Sequence, residues 1–171
     1  SAISGKPVSV PFVASGTASD PADYTPSTNP LVIPAGNPGG QISLALVSDT
    51  LDEPDETVVL TLQAPTNANL GSPNVNTSTL LDDDAPPQVL FTTASQDVNE
   101  AAGSALISVD LSAPSAFVIT APFSVSGDAV DPDDYSLSTS GPLVFQPGET
   151  SKSVVLNPVS DALDENDEQV I

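Results

Sequence analysis

The sequence of 171 residues contains no cysteine, no histidine and no arginine, and its two basic residues are Lys6 and Lys152. The absence of cysteine excludes disulfides, thiolate metal sites and cysteine nucleophiles, and the absence of histidine excludes a Ser-His-Asp triad. Against the two basic residues stand 23 acidic ones, which give a net charge of -21. Since nucleic-acid binding depends on basic residues that neutralise phosphates, we predict no nucleic-acid partner.

Long apolar runs and aromatic residues are also scarce. No apolar run approaches the roughly 18 residues of a membrane span, and we predict no direct membrane insertion. The chain has no tryptophan and only two tyrosines, the residues on which sugar rings usually stack, so a carbohydrate-binding role is disfavoured. Eighteen prolines and ten glycines interrupt the chain, so the sequence favours short strands between turns over long helices.

The sequence contains an internal repeat. Residues 12–58 align with residues 123–170 almost throughout, at an offset of 111 that becomes 112 after one inserted residue. A period of this length indicates tandem domains. We predict a first repeat over residues 1–85 that lacks its first strand, and a second over residues 86–171 that lacks its last strands. The connector Ala85-Pro86-Pro87 is expected to be stiff because proline locks φ.

Apolar residues alternate with polar ones inside each repeat, as in half-buried antiparallel strands. Pro11 and Pro122 cannot donate to a sheet ladder, so their strands are expected at edges or bulges. Only the second repeat carries an early strand with an acid, at Val98–Glu100. The pattern predicts an all-β fold of antiparallel sandwiches. The apolar segments are Val8–Phe12, Ile42–Leu46, Val58–Leu62, Ala105–Leu111 and Phe117–Val125.

Acidic residues are concentrated in two copies of one loop. Asp49-Thr-Leu-Asp-Glu-Pro-Asp-Glu56 recurs as Asp161-Ala-Leu-Asp-Glu-Asn-Asp-Glu168, and Asp82-Asp83-Asp84 closes the first repeat. Carboxylates this crowded repel one another unless a cation shares the site. Calcium is the simplest candidate, since this hard ion takes about 6–8 oxygen ligands. A solvated acidic surface is the alternative interpretation of any single charged run.

Both repeats carry motifs in one order: a Gly-Thr-Ala then Asp-Tyr loop, a Pro-x-Gly turn, an Asp-x-x-x-Glu-x-x-Glu loop and a closing Asp triplet. In the first repeat they are Gly16-Thr17-Ala18 with Asp23-Tyr24, Pro34-Ala-Gly36, Asp49 with Glu53 and Glu56, and Asp82-Asp83-Asp84; in the second they are Asp134-Tyr135, Pro147-Gly148, and Asp161 with Glu165 and Glu168. This order resembles that of the Calx-beta domain, which is found in sodium/calcium exchangers and in many bacterial surface proteins.

The resemblance implies a seven-stranded Ig-like sandwich in each repeat, with calcium at one tip. The acidic loop of the family often opens with two aspartates, and Ser48 and Ser160 replace the first of them, which implies fewer or more weakly held ions. Tyr24 and Tyr135 are expected to be packing residues. The implied calcium ligands are Asp23, Asp49, Glu53, Glu56, Asp82, Asp83 and Asp84 in the first repeat, and Glu100, Asp134, Asp161, Glu165 and Glu168 in the second.

Enzymatic activity is not expected. Paired carboxylates can hydrolyse glycosides, but the acids here have no apolar pocket to raise one pKa and no histidine or arginine to orient a substrate. We therefore predict a calcium-binding extracellular structural repeat of a large bacterial surface protein, adhesin or filament. Calcium would stiffen the domain tip and the junction between domains.

Two alternatives remain for the function: a calcium-sensing regulatory domain of a transporter, and an accessory module of a secreted enzyme. The expected partners are neighbouring repeats of the same protein. Head-to-tail self-assembly by strand donation would also complete the sandwiches that lack strands.

Overall fold

The computed structural model describes residues 3–160 and 167–171 of the chain. These described residues form two compact units: those within 1–49 and 54–83 make the first, and those within 50–53 and 84–171 make the second. The predicted all-β fold is confirmed, because antiparallel strands form nearly all the regular structure in both units. Within the described parts of the chain, no helix is long and apolar enough to cross a membrane.

The strands of the first unit are β1 (Val8–Val10), β2 (Phe12–Gly16), β3 (Tyr24–Pro26), β4 (Leu31–Ile33), β5 (Leu44–Leu46), β6 (Glu56–Leu62) and β7 (Val75–Leu80). They form a three-stranded antiparallel sheet, in the order β2-β6-β7, and two antiparallel strand pairs, β1-β4 and β3-β5. Period-two alternation gives each strand one buried face, and Val58 and Leu60 of β6 point into the core with Phe12 and Tyr24. Tyr24 is thus the packing residue predicted from the sequence.

The strands of the second unit are β8 (Val89–Phe91), β9 (Ala105–Leu111), β10 (Ile119–Ala121), β11 (Tyr135–Leu137), β12 (Leu143–Phe145) and β13 (Ser151–Pro158). They form a four-stranded antiparallel sheet, in the order β11-β13-β9-β8, and the pair β10-β12. The core of this unit contains Val109 and Leu111 of β9, Leu143 and Phe145 of β12, and Val154 of β13.

The strand pairing repeats together with the sequence. Val8 pairs with Ile33 in the first unit, and Ile119 pairs with Phe145 in the second. The pairs β3-β5 and β11-β13 also begin at equivalent positions. Tyr24 pairs with Leu46, while Tyr135, at the offset of 111, pairs with Pro158, at the offset of 112. The offset of 111–112 residues therefore relates positions that are equivalent in backbone structure as well as similar in residue type.

Two strand predictions need correction. Of the apolar run Phe117–Val125, only β10 is a strand, and it ends immediately before Pro122, which has no N–H for the ladder. The predicted early strand at Val98–Glu100 is wrong: Glu100 begins a 3₁₀ helix that ends at Ala102. The Asn99 side chain accepts from the backbone N of Ala101 at 2.9 Å and so caps that turn, which favours the helical over the extended backbone.

Candidate metal site

The turn before β3 positions the carboxylate of Asp23. Asp23 Oδ2 accepts hydrogen bonds from the backbone N of Ser19 at 2.6 Å and from Ser19 Oγ at 3.0 Å. The backbone N of Asp23 donates to the Ser19 carbonyl at 2.9 Å, and Val47 N donates to the Asp23 carbonyl at 2.9 Å. These four bonds fix the carboxylate next to the end of β5.

The hydrogen bond from the Ser19 backbone N lowers the pKa of Asp23 below its ordinary value, because it stabilises the charged form. Burial acts in the opposite direction, while the Ser19 hydroxyl and the Glu56 carboxyl lower the pKa further. Asp23 is therefore ionised at neutral pH and can serve as a metal ligand.

Asp23, Glu53 and Glu56 together form an acidic group in which each contributes one carboxylate oxygen, and these oxygens all lie within 4.8 Å of one another. Glu56 is the first residue of β6, where its register opposite Leu80 fixes its backbone. Glu53 lies three residues earlier in the same acidic loop. All three side chains are half-buried, and no other group of three such side chains is this close in residues 3–160 and 167–171.

The chemistry of this group suits a calcium ion. Two unit charges about 4 Å apart interact with about 1 kcal/mol in bulk water and about 4 kcal/mol at the effective dielectric of a protein surface, so three neighbouring carboxylates repel unless a cation offsets them. Calcium prefers such oxygen ligands and needs about 6–8 of them. The three carboxylates would supply part of that shell, and backbone carbonyls, further acids or water would supply the rest.

The other predicted ligands of the first repeat lie outside this three-carboxylate group. Asp49 follows β5, and the Asp82-Asp83-Asp84 triplet follows β7. The backbone N of Asp82 donates to Asp55 Oδ1 at 3.0 Å, which fastens the start of the triplet to the acidic loop. The structure therefore joins the triplet and the loop by a hydrogen bond, and the role of Asp49 and the triplet as ligands stays a prediction.

In the second repeat, Asp134 has the same setting as Asp23. Asp134 Oδ2 accepts from the backbone N of Val130 at 2.6 Å, and Asp134 N donates to the Val130 carbonyl at 2.8 Å. Val130 stands where the first repeat has Ser19, so the hydroxyl contact has no counterpart here. The aspartate turn is thus a property of the repeat.

Of the remaining predicted ligands of the second repeat, Glu100 and Glu168 belong to no group of three close carboxylates among the described residues, and the other two lie outside those residues. Glu100 begins the exposed 3₁₀ turn. Glu168 is exposed and lies two residues before Val170, which bridges to Gly127. Asp161 and Glu165 fall outside the part of the chain that the structure describes. Their role as ligands stays a prediction.

Sequence reasoning did not single out two acids of the first loop. Asp52 is buried, with 7% of its surface exposed, and its Oδ2 accepts a hydrogen bond from Ser115 Oγ at 2.7 Å. Asp55 accepts from the backbone of the Asp triplet. Both lie in the repeated acidic motif, which is the one sequence signal that could have identified them. Every acid of the motif shares that signal, so it does not distinguish Asp52 and Asp55 from the others.

The chain belongs to the Calx-beta domain family: the family model described as Calx-beta domain matches residues 3–84 and 82–171. The prediction of this family from the ordered motifs is confirmed. Among solved structures the chain is similar to CBD12 from CALX1.2, at 25% identity over 93% of this chain with a TM-score of 0.45. It is also similar to the calcium binding domain CBD12 of CALX1.1, at 25% identity over 92% of this chain with a TM-score of 0.42. The chain covers 65% of the length of each of these structures.

Proposed function

We propose that the chain is a calcium-binding module and that Asp23, Glu53 and Glu56 hold the ion. The observation that carries this proposal is the approach of their three carboxylate oxygens to within 4.8 Å of one another. Membership of the Calx-beta family supports it, since the resemblance implies calcium at one tip of the sandwich. The net charge of -21 supports it too, because bound cations relieve the self-repulsion of the compact state.

The proposal extends to the biological setting. The chain is an extracellular structural repeat of a bacterial surface protein, adhesin or filament, in which calcium stiffens the domain tip and the junction with the next repeat. The tandem repeat and the absence of cysteine support this role. The proposal includes no catalytic activity, because the chain has no histidine, cysteine or arginine to pair with its acids.

A regulatory calcium sensor is the second candidate function, favoured by the similarity of the motifs to those of exchanger domains. The calcium dissociation constant separates the two roles. Sensors bind calcium at about 0.1–10 μM, whereas extracellular modules bind at about 0.1–1 mM. A calcium dissociation constant of about 0.1–1 mM supports the structural role, and a micromolar dissociation constant supports sensing.

Calcium is expected to raise the melting temperature of the chain. Calcium at 100 times its dissociation constant stabilises the folded state by about 2.7 kcal/mol. For a unit of this size, that corresponds to a shift of roughly 10–20 °C. Circular dichroism melts with calcium and with chelator, at equal ionic strength, measure the shift. Superimposable curves would contradict the proposal.

Two variants make the calcium test specific. Glu56→Gln removes one proposed ligand, and isothermal titration calorimetry should then show at least tenfold weaker calcium binding. Asp97→Asn changes the net charge by the same amount at an exposed acid of the second unit, and should bind calcium within twofold of the parent chain. Equal weakening by both variants would indicate that calcium only screens the overall charge.

Self-assembly by strand donation is a further part of the proposal. β8 is an edge strand of the four-stranded sheet, and Val89, Leu90 and Phe91 are all exposed on it. An apolar edge with open backbone groups is a template for another strand. We expect the mass measured by static light scattering to rise with protein concentration, and a Leu90→Lys substitution on this edge to suppress the rise. A constant monomer mass up to millimolar concentration would rule out assembly of this chain alone.

A further inference from the structure

Asp52 and Ser115 form a buried polar pair in the second unit, which includes the segment Thr50–Glu53. The two residues are partners in a parallel β-bridge, and Ala116 N donates to the Asp52 carbonyl at 2.8 Å. Ser115 Oγ donates to Asp52 Oδ2 at 2.7 Å. Only 7% of Asp52 and 2% of Ser115 is exposed. Since carboxylates are seldom buried without such charge-assisted bonds, the pair is a specific docking contact for this acidic segment.

Ser4 occupies in the first unit the position that Ser115 occupies in the second, at the repeat offset of 111. Lys6 N donates to Ser4 Oγ at 3.1 Å, and Phe117 N donates to Ser115 Oγ at 3.1 Å. Each serine carbonyl also accepts a 2.9 Å hydrogen bond from the glycine N of the turn after β4 or β12. The backbone therefore presents both serine hydroxyls in the same local setting.

The two hydroxyls differ in the group that accepts their proton. Ser115 Oγ donates to the Asp52 carboxylate, whereas Ser4 Oγ donates to the carbonyl of Lys6, two residues ahead, at 2.8 Å. A local carbonyl of this kind is the usual substitute acceptor for a serine hydroxyl. Lys6 is also exposed, and it is one of two basic residues in a chain with a net charge of -21. Its charge favours an acidic partner.

We infer that Ser4–Lys6 is a docking site for the Leu-Asp-Glu segment of another Calx-beta repeat, bound as the Asp52 segment is bound at Ser115. The carboxylate of that segment's aspartate replaces the Lys6 carbonyl as the acceptor of the hydrogen bond from Ser4 Oγ. The backbone carbonyl of the same aspartate accepts a hydrogen bond from the backbone N of Gly5. Lys6 lies two residues after Ser4, and its positive charge favours this acidic segment. The inference rests on the tandem arrangement in the proposed function and names the contact partner, but it does not depend on calcium.

Disulfide capture in a longer chain tests the inference. The longer chain has a copy of residues 1–111 placed directly before the full chain. The original Ser4 then lies four positions after residue 111 of the copy, just as Ser115 lies four positions after residue 111 in the parent chain, so the repeat continues in register. The chain has no cysteine of its own, so Asp52→Cys in the added copy and Ser4→Cys in the original provide a single pair of thiols. Bridge partners lie about 5 Å apart at Cα, within the range that a disulfide spans.

In a glutathione redox buffer, we expect the Asp52→Cys and Ser4→Cys pair of the longer chain to form its disulfide in good yield. This yield should lie within twofold of that of the reference pair, Asp52→Cys with Ser115→Cys, in the 171-residue chain. The matched control replaces Ser4→Cys by Ser43→Cys, at an exposed serine of the same unit, and should close at least tenfold less. Closure no better than this control would overturn the inference, and so would failure of the Asp52–Ser115 reference pair. Running each reaction in calcium and in chelator separates this outcome from the calcium proposal, because the inference requires capture above the Ser43 control under both conditions, whereas a gain in yield with calcium tests the stiffening of the junction.

Discussion

Replacing Phe145 by alanine is expected to destabilise the second unit by about 3–5 kcal/mol, the usual cost of emptying a buried phenylalanine site. Phe145 is fully buried on β12, opposite Ile119 of β10, and packs in the core cluster of the unit. The β10-β12 pair has only three residues in each strand, so it has few backbone bonds with which to retain its position when the side chain is lost. Since a domain of this size has about 5–15 kcal/mol of stability, the loss would leave it marginal.

Urea unfolding at 25 °C, with hydrogen exchange to separate the two units, measures the effect. The matched control is Phe91→Ala, because Phe91 is 59% exposed on the edge strand β8 of the same unit. We expect that control to cost less than about 1 kcal/mol. Equal destabilisation by the two substitutions would show that the core is not centred on Phe145.

Gly16→Ala is expected to destabilise the first unit by about 2–6 kcal/mol. Gly16 ends β2 with φ of +127°, a conformation that costs another residue about 1–3 kcal/mol. A Cβ there would also collide with the carbonyl of Thr57. That carbonyl accepts hydrogen bonds from Thr17 N at 3.0 Å and Ala18 N at 3.1 Å, and their displacement would cost about 0.5–1.5 kcal/mol each.

Two further glycine substitutions check this explanation. Gly127 has φ of +130°, and a Cβ there would collide with the carbonyl of Gln169, so Gly127→Ala should destabilise the second unit similarly. Gly39 has open space around it and no positive φ, and Gly39→Ala should change stability by less than about 1 kcal/mol. Because Thr57 follows Glu56 directly, Gly16→Ala should also weaken calcium binding, whereas Gly39→Ala should not. Equal stability of the Gly16 and Gly39 variants would show that the tight approach to Thr57 is not required.

The acidic loop shows how far the sequence could predict the site. Its composition predicts a cation, since five of the eight residues from Asp49 to Glu56 are acids. The sequence could not tell which of these acids point towards one another. Asp52 and Glu53 are adjacent, yet Asp52 is buried against Ser115 while Glu53 joins the group with Asp23 and Glu56. The acceptor role of Asp52 depends on a serine 63 positions away, and no local pattern contains that information.

The sequence by itself determined the all-β class, the tandem repeat and the family, because strand periodicity, repeat offset and ordered motifs are properties of the chain read in one dimension. It also determined the strong excess of acidic over basic residues, and hence the kind of ligand the protein can accept. Tertiary structure alone decided which carboxylates meet. Asp23 and Glu56 are 33 positions apart in the sequence, and they approach because β3 pairs with β5 while β2 pairs with β6. Contacts of this kind depend on strand register, which places side chains from distant segments at one position in space.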